Sequence, residues 1–469
     1  MPHGLFDDSL YRFAEPEPSY WEATAGLSPV AGTPLDSEER CEVAIIGGGY
    51  TGLSAALHLA RDFGRDVRVL EAGHIGWGAS GRNGGFCCMG GSPLGIATQA
   101  RRYGIDETRA YWRMQREAVE LVRDLGDGEG IDYARQGEGE YVVAEHPTHY
   151  ADLIAAADAA ERVLGHRPEV LSREAFRELG YDAPHQHGAL LEAPSFGLHP
   201  LRYVYGLAGA AERHGAHLHP ASEVISWEKE GNAHVLRTRD GSVRARHVIV
   251  TGNGFLAEHL APQLAGRVLP LQSVIVVTRP LSDDELERHP WTTGNPAINA
   301  RNVYCYYRLL PDRRLMIGGR GDFTGRADRL DATRQYLKGE IARLWPGWAD
   351  VDIAYCWRGL VCFSSRLAPT VGRFQDDPSV SFSFAYHGNG VNNATWCGRA
   401  LAQWLAGGND PTATVPHHLP AMVRGFAPRL PFPGLRRSYA RAGVAVHRLL
   451  DWRDDRREAR RARRARMSA

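Results

Sequence analysis

A glycine-rich turn between two short apolar segments constrains this chain more than any other feature. Residues 42–46 have the composition of a buried parallel strand, and the sequence GGGYTG follows at once at 47–52. Residues 53–62 place small and apolar side chains at helical spacing, and Gly64 then provides a helix C-terminal cap. A second strand is predicted at 67–70. The pattern predicts a strand–helix–strand unit.

Each part of this unit has a role if the chain binds a dinucleotide. Gly47 permits the tight turn, Gly49 lets a pyrophosphate approach the backbone, and Gly52 lets the helix pack closely on the strand. The unpaired N–H groups at the helix start would face the phosphates. Glu71 follows Gly52 by 19 residues and can accept hydrogen bonds from a ribose diol. The predicted dinucleotide contacts are Gly47, Gly49, Tyr50, Thr51, Gly52, Glu71 and Ala72.

The next segment separates FAD from NAD, which the glycine fingerprint alone does not. Residues 72–86 are dense in glycine and carry polar side chains, as in a loop that wraps a large planar cofactor at close range. Arg82 and Asn83 either donate hydrogen bonds toward the cofactor or the substrate, or hold the glycine loop in place. The predicted flavin contacts in this loop are Gly78, Ala79, Ser80, Arg82, Asn83, Gly84 and Gly85.

The phrase GASGRNGG at 78–85 resembles the D-amino acid oxidase superfamily of flavoproteins, within it the branch that includes gamma-glutamylputrescine oxidases. The resemblance covers roughly residues 15–410, which one chance motif cannot do. Further matching segments are 198–201 with the helical 203–214, the strand and turn at 247–254, and the closing motifs at 369–372 and 385–393.

The resemblance implies an α/β fold of the glutathione-reductase-like, D-amino acid oxidase type. It has a Rossmann-type FAD-binding domain and an interleaved antiparallel-sheet substrate domain. The expected division is an N-terminal extension at 1–37, an FAD-binding domain from 38–105, 196–262 and 352–412, a substrate domain from 106–195 and 263–351, and a helical basic tail at 413–469.

The closing motif is expected to bring a helix start over the pyrimidine end of the flavin. His387 in this motif either contacts the flavin or is a structural histidine bonded to a neighbouring carbonyl. The further FAD contacts that the resemblance implies are Gly252, His387, Gly388, Asn389, Gly390 and Val391.

The resemblance implies that a neutral amine or amino acid gives a hydride to flavin N5, that the imine hydrolyses, and that O₂ takes the electrons and leaves as H₂O₂. Two alternatives stay open: a dehydrogenase that passes electrons to a quinone or a protein, and a non-catalytic FAD-binding subunit. Oxidases of this family often place a lysine near the flavin. The lysines of this chain, Lys229 and Lys338, lie in no flavin motif, which weakens the oxidase interpretation.

The segment 304–311 is the best candidate for a wall facing the substrate. Strand alternation puts Tyr304, Tyr306 and Arg308 on one face. Arg308 either binds substrate, or makes an edge salt bridge or is simply solvated. The tyrosines either line the pocket or pack within the sheet. The predicted catalytic residues are Tyr306, Arg308 and His387.

Cys362 carries a separate hypothesis about the cofactor. It stands 26 residues before Gly388, in a setting that resembles monomeric sarcosine oxidases, where a cysteine sulfur is bonded to the 8α-methyl group of the flavin. The alternative is a small buried hydrophobic residue, as most free cysteines are. FAD is thus the expected cofactor, with covalent attachment at Cys362 as one form.

Charge and cysteine content exclude several other classes. The 55 basic and 55 acidic residues cancel, so no global field attracts nucleic acid or an anionic membrane. The seven cysteines have neither metal-ligand spacing nor the pattern of a secreted disulfide framework, which favours a reducing cytoplasm and no metal site. No signal peptide and no apolar run of ~20 residues is present. The arginine-rich tail predicts a docked helix with a solvated end, or a contact with a membrane surface or acidic partner. No sequence pattern indicates an oligomeric state.

Overall fold

The computed structural model describes residues 5–407 and 419–468, of which 461–468 are described by their backbone alone. The parts of the expected domains at 1–4, 408–418 and 469 lie outside the described residues. The strands are β1 (Glu38–Ile46), β2 (Val67–Leu70), β3 (Phe86–Cys87), β4 (Glu140–Val143), β5 (Glu169–Leu171), β6 (Ala189–Glu192), β7 (Phe196–Gly197), β8 (His217–His219), β9 (Ser226–Glu230), β10 (Ala233–Arg237), β11 (Ser242–Val250), β12 (Leu269–Thr278), β13 (Ala297–Asn299), β14 (Tyr306–Leu309), β15 (Leu315–Arg320), β16 (Ile353–Phe363), β17 (Thr370–Arg373) and β18 (Val380–Phe384).

Helices cover both sheets and extend to the C-terminal end of the described chain. The α-helices are α1 (Tyr20–Thr24), α2 (Tyr50–Phe63), α3 (Ala79–Arg82), α4 (Ile96–Tyr103), α5 (Ile105–Glu129), α6 (Pro147–Leu164), α7 (Arg173–Leu179), α8 (Pro200–Arg213), α9 (Asp283–Arg288), α10 (Leu330–Leu344), α11 (Gly390–Ala406) and α12 (Arg436–Ser468). Short 3₁₀ turns occupy Asp8–Tyr11, Asn253–Phe255, Ala327–Arg329, Pro346–Trp348 and Pro433–Leu435.

The first sheet is of the Rossmann type. Its strands run in the order β17-β18-β11-β1-β2-β8, and β10 and β9 extend it from β11. Strand β1 pairs in parallel with both β2 and β11, and β11 pairs in parallel with β18. The last four residues of β1 are buried because helices and the β9–β10 extension cover its faces.

The turn after β1 is held by close backbone packing. Helix α2 begins at Tyr50 and ends at Gly64, whose φ of +59° is the left-handed conformation that favours glycine. A Cβ atom at Gly52 would overlap the carbonyl oxygen of Gly47, so only glycine lets the helix lie this close to the turn. Helix α11 packs on α2 in the same way, since a Cβ at Gly398 would overlap the carbonyl oxygen of Thr51.

The second sheet is mostly antiparallel, in the order β16-β12-β15-β14-β13-β4-β6-β5, with one parallel pair between β13 and β4. Strand β16 pairs with β12 along nearly its whole length. The domain boundary expected at residue 352 therefore does not coincide with the change of sheet, because β17 is the strand that returns to the first sheet. The apolar pattern of β16 could not show which sheet supplies its partner.

Helix α5 also departs from the expected division. The segment 106–195 was expected in the substrate domain, yet Met114, Ala118 and Val122 of α5 belong to the hydrophobic core shared by α2, α8 and α11. The amphipathic pattern of α5 predicts a buried face but not the layer against which it packs.

Helix α12 docks along the second sheet through charged side chains. Asp451 accepts hydrogen bonds from the backbone N–H groups of Asn302 (2.9 Å) and Val303 (3.0 Å). Arg301 pairs with Asp455 at 2.9 Å. The expected arginine run continues into 461–468, whose side chains lie outside the described part. Within residues 5–407 and 419–468, no helix is both long and apolar enough to cross a membrane.

Candidate active site

A cavity of about 790 Å³ lies between the two sheets. Its lining includes the residues that follow the carboxyl ends of β1, β2 and β11, where ligands bind in doubly wound sheets. Residues of β12, β14, β15 and β16 form the opposite wall. The volume falls in the range of about 300–1,000 Å³ that is usual for ligand and cofactor sites.

One end of the cavity is built from backbone and small side chains. Gly47, Gly49 and the first turn of α2 line it, and the Tyr50 N–H donates to Ser80 Oγ at 3.0 Å. Glu71 accepts from the Gly48 N–H at 2.6 Å. Burial raises the pKa of Glu71, and its backbone hydrogen bonds oppose this shift. Each carboxylate oxygen has a further lone pair, so Glu71 can still accept a ribose hydroxyl.

Arg82 and Asn83 of the glycine loop have different roles. Asn83 donates from Nδ2 to the carbonyl oxygen of Ser80 (2.9 Å) and accepts the Gly85 N–H at 2.8 Å, so it holds the loop in place. Arg82 donates from Nε to the Trp77 carbonyl at 2.7 Å and stacks on that ring. Its two Nη nitrogens are buried without a hydrogen-bond partner in the described part, and the residue lines the cavity. This leaves donors for an electron-rich cofactor edge.

The closing motif adopts a strained backbone. Ala385 and His387 have φ of +62° and +55°, values that non-glycine residues rarely take and that cluster at functional sites. The Tyr386 hydroxyl lies 2.6 Å from Thr51 Oγ1, which ties the motif to α2. Asn389 donates to the Cys88 carbonyl at 2.6 Å just before α11 begins. The start of α11 thereby faces the cavity.

His387 presents an unpartnered ring nitrogen. Its Nε2 accepts the Ser364 N–H at 3.2 Å, and Nδ1 is buried without a hydrogen-bond partner among the described residues. Burial lowers the pKa of His387 to about 4, so the ring is neutral at pH 7. Because Nε2 accepts, the ring proton lies on Nδ1. The residue lines the cavity, so Nδ1–H is available as a donor to a bound group.

Cys362 also lines the cavity, packed against the turn that follows β11. A Cβ at Gly254 would lie 2.5 Å from its sulfur. Burial raises the pKa of the Cys362 thiol to about 12. The thiol is therefore protonated at neutral pH, which makes it a poor nucleophile.

Tyr304 and Tyr306 line the wall that faces this end. The Tyr306 hydroxyl lies 2.9 Å from Ser273 Oγ, and its ring meets that of Phe86 edge-on at 5.5 Å. Tyr304 precedes β14, and its hydroxyl would lie 3.4 Å from a Cβ at Gly388. The tyrosine wall and the closing motif thus border the same space.

Arg308 departs from the expected position. It is 2% exposed and does not line the cavity. Its Nη2 donates to the Leu198 carbonyl at 2.5 Å, and the guanidinium lies over the Trp21 ring. Although alternation places Arg308 on the same strand face as Tyr306, the backbone of Gly85 covers that face beyond Tyr306. None of the expected roles, namely substrate contact, an edge salt bridge or simple solvation, agrees with this buried position.

Most of the predicted residues come together in the cavity. Gly52, Gly85 and Arg308 do not line it, and the two glycines instead allow close contact with the carbonyl groups of Gly47 and Leu198. The predicted residues that do line it are Gly47, Gly49, Tyr50, Thr51, Glu71, Ala72, Gly78, Ala79, Ser80, Arg82, Asn83, Gly84, Gly252, Tyr306, Cys362, His387, Gly388, Asn389, Gly390 and Val391.

Two carboxyl groups in the cavity, those of the buried Glu140 and the half-buried Glu192, were missed by sequence reasoning. Glu140 of β4 and Glu192 of β6 lie directly opposite each other in the second sheet. Burial, followed by the charge of Glu192, raises the pKa of Glu140 to about 8, and burial raises the pKa of Glu192 to about 7. Neither has an ion-pair partner in the described part of the chain. The sequence does show an acidic residue at one end of each apolar strand. Only the pairing of β4 with β6 brings the two residues together.

Arg320, Val444 and His447 were also missed. Arg320 ends β15, whereas Val444 and His447 come from α12. No local motif marks these positions. The positions of Val444 and His447 in the cavity depend on how α12 docks, and no pattern in a single sequence predicts that docking.

The comparisons with known proteins agree with this geometry. The chain is 33% identical over 440 residues to gamma-glutamylputrescine oxidoreductase of Escherichia coli, covering 92% of this chain and 98% of that protein. It is 31% identical over 398 residues to a probable oxidoreductase, OrdL, of Rhizobium meliloti, covering 83% and 88% of the two chains.

Solved structures and the family profile lead to the same fold. The structure of glycine oxidase from Geobacillus kaustophilus superposes with a TM-score of 0.62 at 21% identity, covering 78% of this chain and 94% of that one. The profile of the DAO family, described as FAD dependent oxidoreductase, matches residues 42–404. With its Rossmann-type sheet, interleaved antiparallel sheet and shared cavity, the chain belongs to the DAO family of FAD-dependent oxidoreductases.

Proposed function

We propose that this protein oxidises a C–N bond of a small amine or amino acid, with FAD as the hydride acceptor and O₂ as the final electron acceptor. One observation carries the proposal. The glycine loops, the closing motif and the tyrosine wall, which come from distant parts of the chain, border one cavity. A substrate in the second-sheet half can therefore meet a cofactor held by the first sheet.

The residues present fit FAD. The start of α2 would hold the pyrophosphate, and Glu71 would accept the ribose hydroxyls. The unpartnered Nη nitrogens of Arg82 and Nδ1 of His387 would donate to polar edges of the bound cofactor. When bound, FAD supplies the electron-accepting ring, and the protein supplies binding, orientation and electrostatics.

The half of the cavity bordered by the second sheet, here called the substrate half, favours an amine as the substrate. Glu140 and Glu192 line this part of the cavity, and no cationic side chain of the described residues pairs with them. Burial raises both pKa values, and a cationic nitrogen placed beside the two carboxyl groups would favour their ionised form and pair with it. A basic nitrogen is the substrate group that such carboxyl groups attract. The relative from Escherichia coli is named for gamma-glutamylputrescine, which carries a primary amine, and this supports the same substrate class.

Arg82 supports O₂ as the electron acceptor. Positive charge near a reduced cofactor stabilises the anion that forms when O₂ takes an electron. Arg82 supplies such a charge at the cavity, and Glu17 is its nearest carboxylate at 3.7 Å. Burial lowers the pKa of Arg82 to about 10, so it stays charged at neutral pH.

A dehydrogenase is the second candidate, and one observation favours it. Neither Lys229 nor Lys338 lines the cavity, so the lysine that often serves O₂ reduction in this family is missing here. An acceptor such as a quinone would then replace O₂.

We further propose that FAD is held without a covalent bond. Thioether formation needs the thiolate of Cys362, which the buried surroundings disfavour. Acid precipitation tests this directly. Yellow colour in the supernatant is expected, whereas yellow colour retained in the pellet, and lost in Cys362→Ala, would establish the bond.

Aerobic turnover tests the function. The purified yellow protein is given a panel of primary amines, diamines and amino acids, and O₂ consumption and H₂O₂ release are followed with an electrode and a peroxidase assay. Equal amounts of O₂ consumed and H₂O₂ formed with one substrate class are expected. Turnover only with an added quinone would select the dehydrogenase, and no turnover with any acceptor would contradict the proposal.

A further inference from the structure

An uncompensated guanidinium lies in the substrate half of the cavity. Arg320, the last residue of β15, lines the cavity beside Gly319 and Tyr306. Its Nε and Nη2 nitrogens are buried and have no hydrogen-bond partner among the described residues. The guanidinium carbon stacks 4.0 Å from the centre of the Phe323 ring, which fixes the plane of the group.

This arrangement is costly for the folded protein. A buried donor without an acceptor loses the hydrogen bonds that water gave it in the unfolded chain, and the loss is larger when the group is charged. Burial, followed by the charge of Arg448, lowers the pKa of Arg320 to about 10, so the group still carries its charge at neutral pH. Glu140 and Glu192 line the same cavity but form no ion pair with Arg320. The group therefore lacks the anion that would satisfy it.

The C-terminal helix adds a second positive charge at this place. Val444 and His447 of α12 line the cavity, and Arg448 follows on the same side, exposed and close enough to act on Arg320. Asp451 fixes this stretch of α12 by its bonds to the loop at Asn302. The match to the family profile ends at residue 404, so α12 lies outside the matched segment.

We propose that Arg320, assisted by Arg448, binds a carboxylate that the substrate carries at the end remote from the oxidised C–N bond. A carboxylate matches the planar donors of a guanidinium and satisfies buried nitrogens that the protein leaves unpaired. The inference rests on the proposed function and narrows it: the substrate is an amine with a distant carboxylate, and α12 is part of the substrate site.

Matched substrates test the charge alone. The probes are gamma-glutamylputrescine and its analogue in which the carboxylate is a carboxamide. Wild type is expected to show a KM about 10–100-fold lower for the acid, the range of one charged hydrogen-bonded contact. In Arg320→Gln the KM for the acid rises by this factor, the preference disappears, and kcat changes little. Arg320→Lys keeps part of the preference.

Surface variants separate the role of α12 from general loss of charge. Arg448→Gln is expected to raise the KM for the acid about 2–5-fold, an effect that added salt screens. Arg453→Gln, an exposed arginine farther along α12, is the matched control and should leave both KM values unchanged. An equal effect of the two variants would remove Arg448 from the site. The ratio of FAD to protein monitors folding in each variant.

A binding measurement makes this proposal independent of turnover. Pentanoate and pentanamide are titrated into the holoprotein by calorimetry, with wild type and Arg320→Gln compared. Tighter binding of pentanoate that is lost in Arg320→Gln supports the subsite, even if no amine is oxidised and the proposed function fails. Equal affinity of wild type for the two probes, or a preference that survives in Arg320→Gln, would overturn the proposal.

Discussion

The end of the cavity that we assign to the cofactor and the end that we assign to the substrate are built by different means. The cofactor end uses continuous stretches, above all 47–52 and 78–85, in which backbone groups and glycines make the site. The substrate end uses single side chains from separate strands and from α12, such as Glu140, Arg320 and His447. A site made of backbone is encoded locally, whereas a site made of isolated side chains depends on strand pairing and helix docking.

The largest expected effect breaks the cofactor end. In Gly52→Ala the added methyl group would overlap the carbonyl oxygen of Gly47, and backbone cannot move aside as a flexible side chain can. We expect a loss of about 3 kcal/mol or more of stability and purification with little FAD. The measurement is absorbance at about 450 nm relative to 280 nm, since oxidised flavin absorbs in that region.

Gly209→Ala on α8 is the control for this change. A Cβ there would lie 3.6 Å from its nearest neighbour, so FAD content and melting temperature should equal or exceed those of wild type. Full FAD content in Gly52→Ala would show that the close helix packing is not required.

The next effect concerns the buried acids of the substrate end. The pKa of Glu140 is raised from 4.5 to about 8, so the folded protein keeps this proton at pH values where the unfolded chain has lost it. Folding therefore binds a proton, and stability falls as pH rises from about 4.5 to about 8. Glu140→Gln removes this loss and should raise the melting temperature above that of wild type at pH 9.

This difference should shrink toward zero near pH 5, where Glu140 is protonated in the folded state and increasingly so in the unfolded state. Glu169→Gln, at an exposed position on β5 of the same sheet, serves as the control. A melting-temperature difference between Glu140→Gln and wild type that does not change with pH would contradict the buried, protonated carboxyl group.

A smaller effect is expected at the contact between α12 and the cavity. Asp451→Ala removes acceptors for the N–H groups of Asn302 and Val303, which line the cavity. We expect the KM for the amine to rise about 30-fold while FAD content is kept, because the two lost contacts are worth about 1 kcal/mol each. An unchanged KM would show that α12 does not support the substrate end.

Tyr306→Phe is expected to have the smallest effect. It removes the hydroxyl that lies 2.9 Å from Ser273 Oγ but keeps the ring that forms the wall. A change in kcat/KM of about 5-fold or less follows from the loss of one neutral hydrogen bond worth about 1 kcal/mol. A loss of 100-fold or more would instead assign the hydroxyl a direct part in the reaction.

The same contrast explains what the sequence could predict. The sequence correctly predicted the strand–helix–strand unit around Gly52 and the glycine-rich segment at 78–85. These predictions depend on glycine spacing and apolar runs, which determine the structure of only a few neighbouring residues. Strand alternation also predicted a cavity-facing position for Tyr306, and Tyr306 lines the cavity. The same alternation gave a wrong position for Arg308. The sequence of a strand does not show which other segments of the chain cover its faces.

The positions that could not be predicted depend on long-range pairing. Glu140 and Glu192 are 52 residues apart and meet only through the register of β4 and β6. The partner of β16 and the docking of α12 are of the same kind. These features follow from the total packing of the chain, and no local composition marks them.

Anaerobic titration of the FAD-loaded protein with gamma-glutamylputrescine tests the central claim most directly, namely that the two ends form one catalytic cavity. The account predicts that absorbance near about 450 nm bleaches with about one equivalent of substrate and returns when O₂ is admitted. Bleaching by dithionite but by no amine or amino acid in a broad panel would contradict it, since the cofactor would then be present without access to a C–N donor.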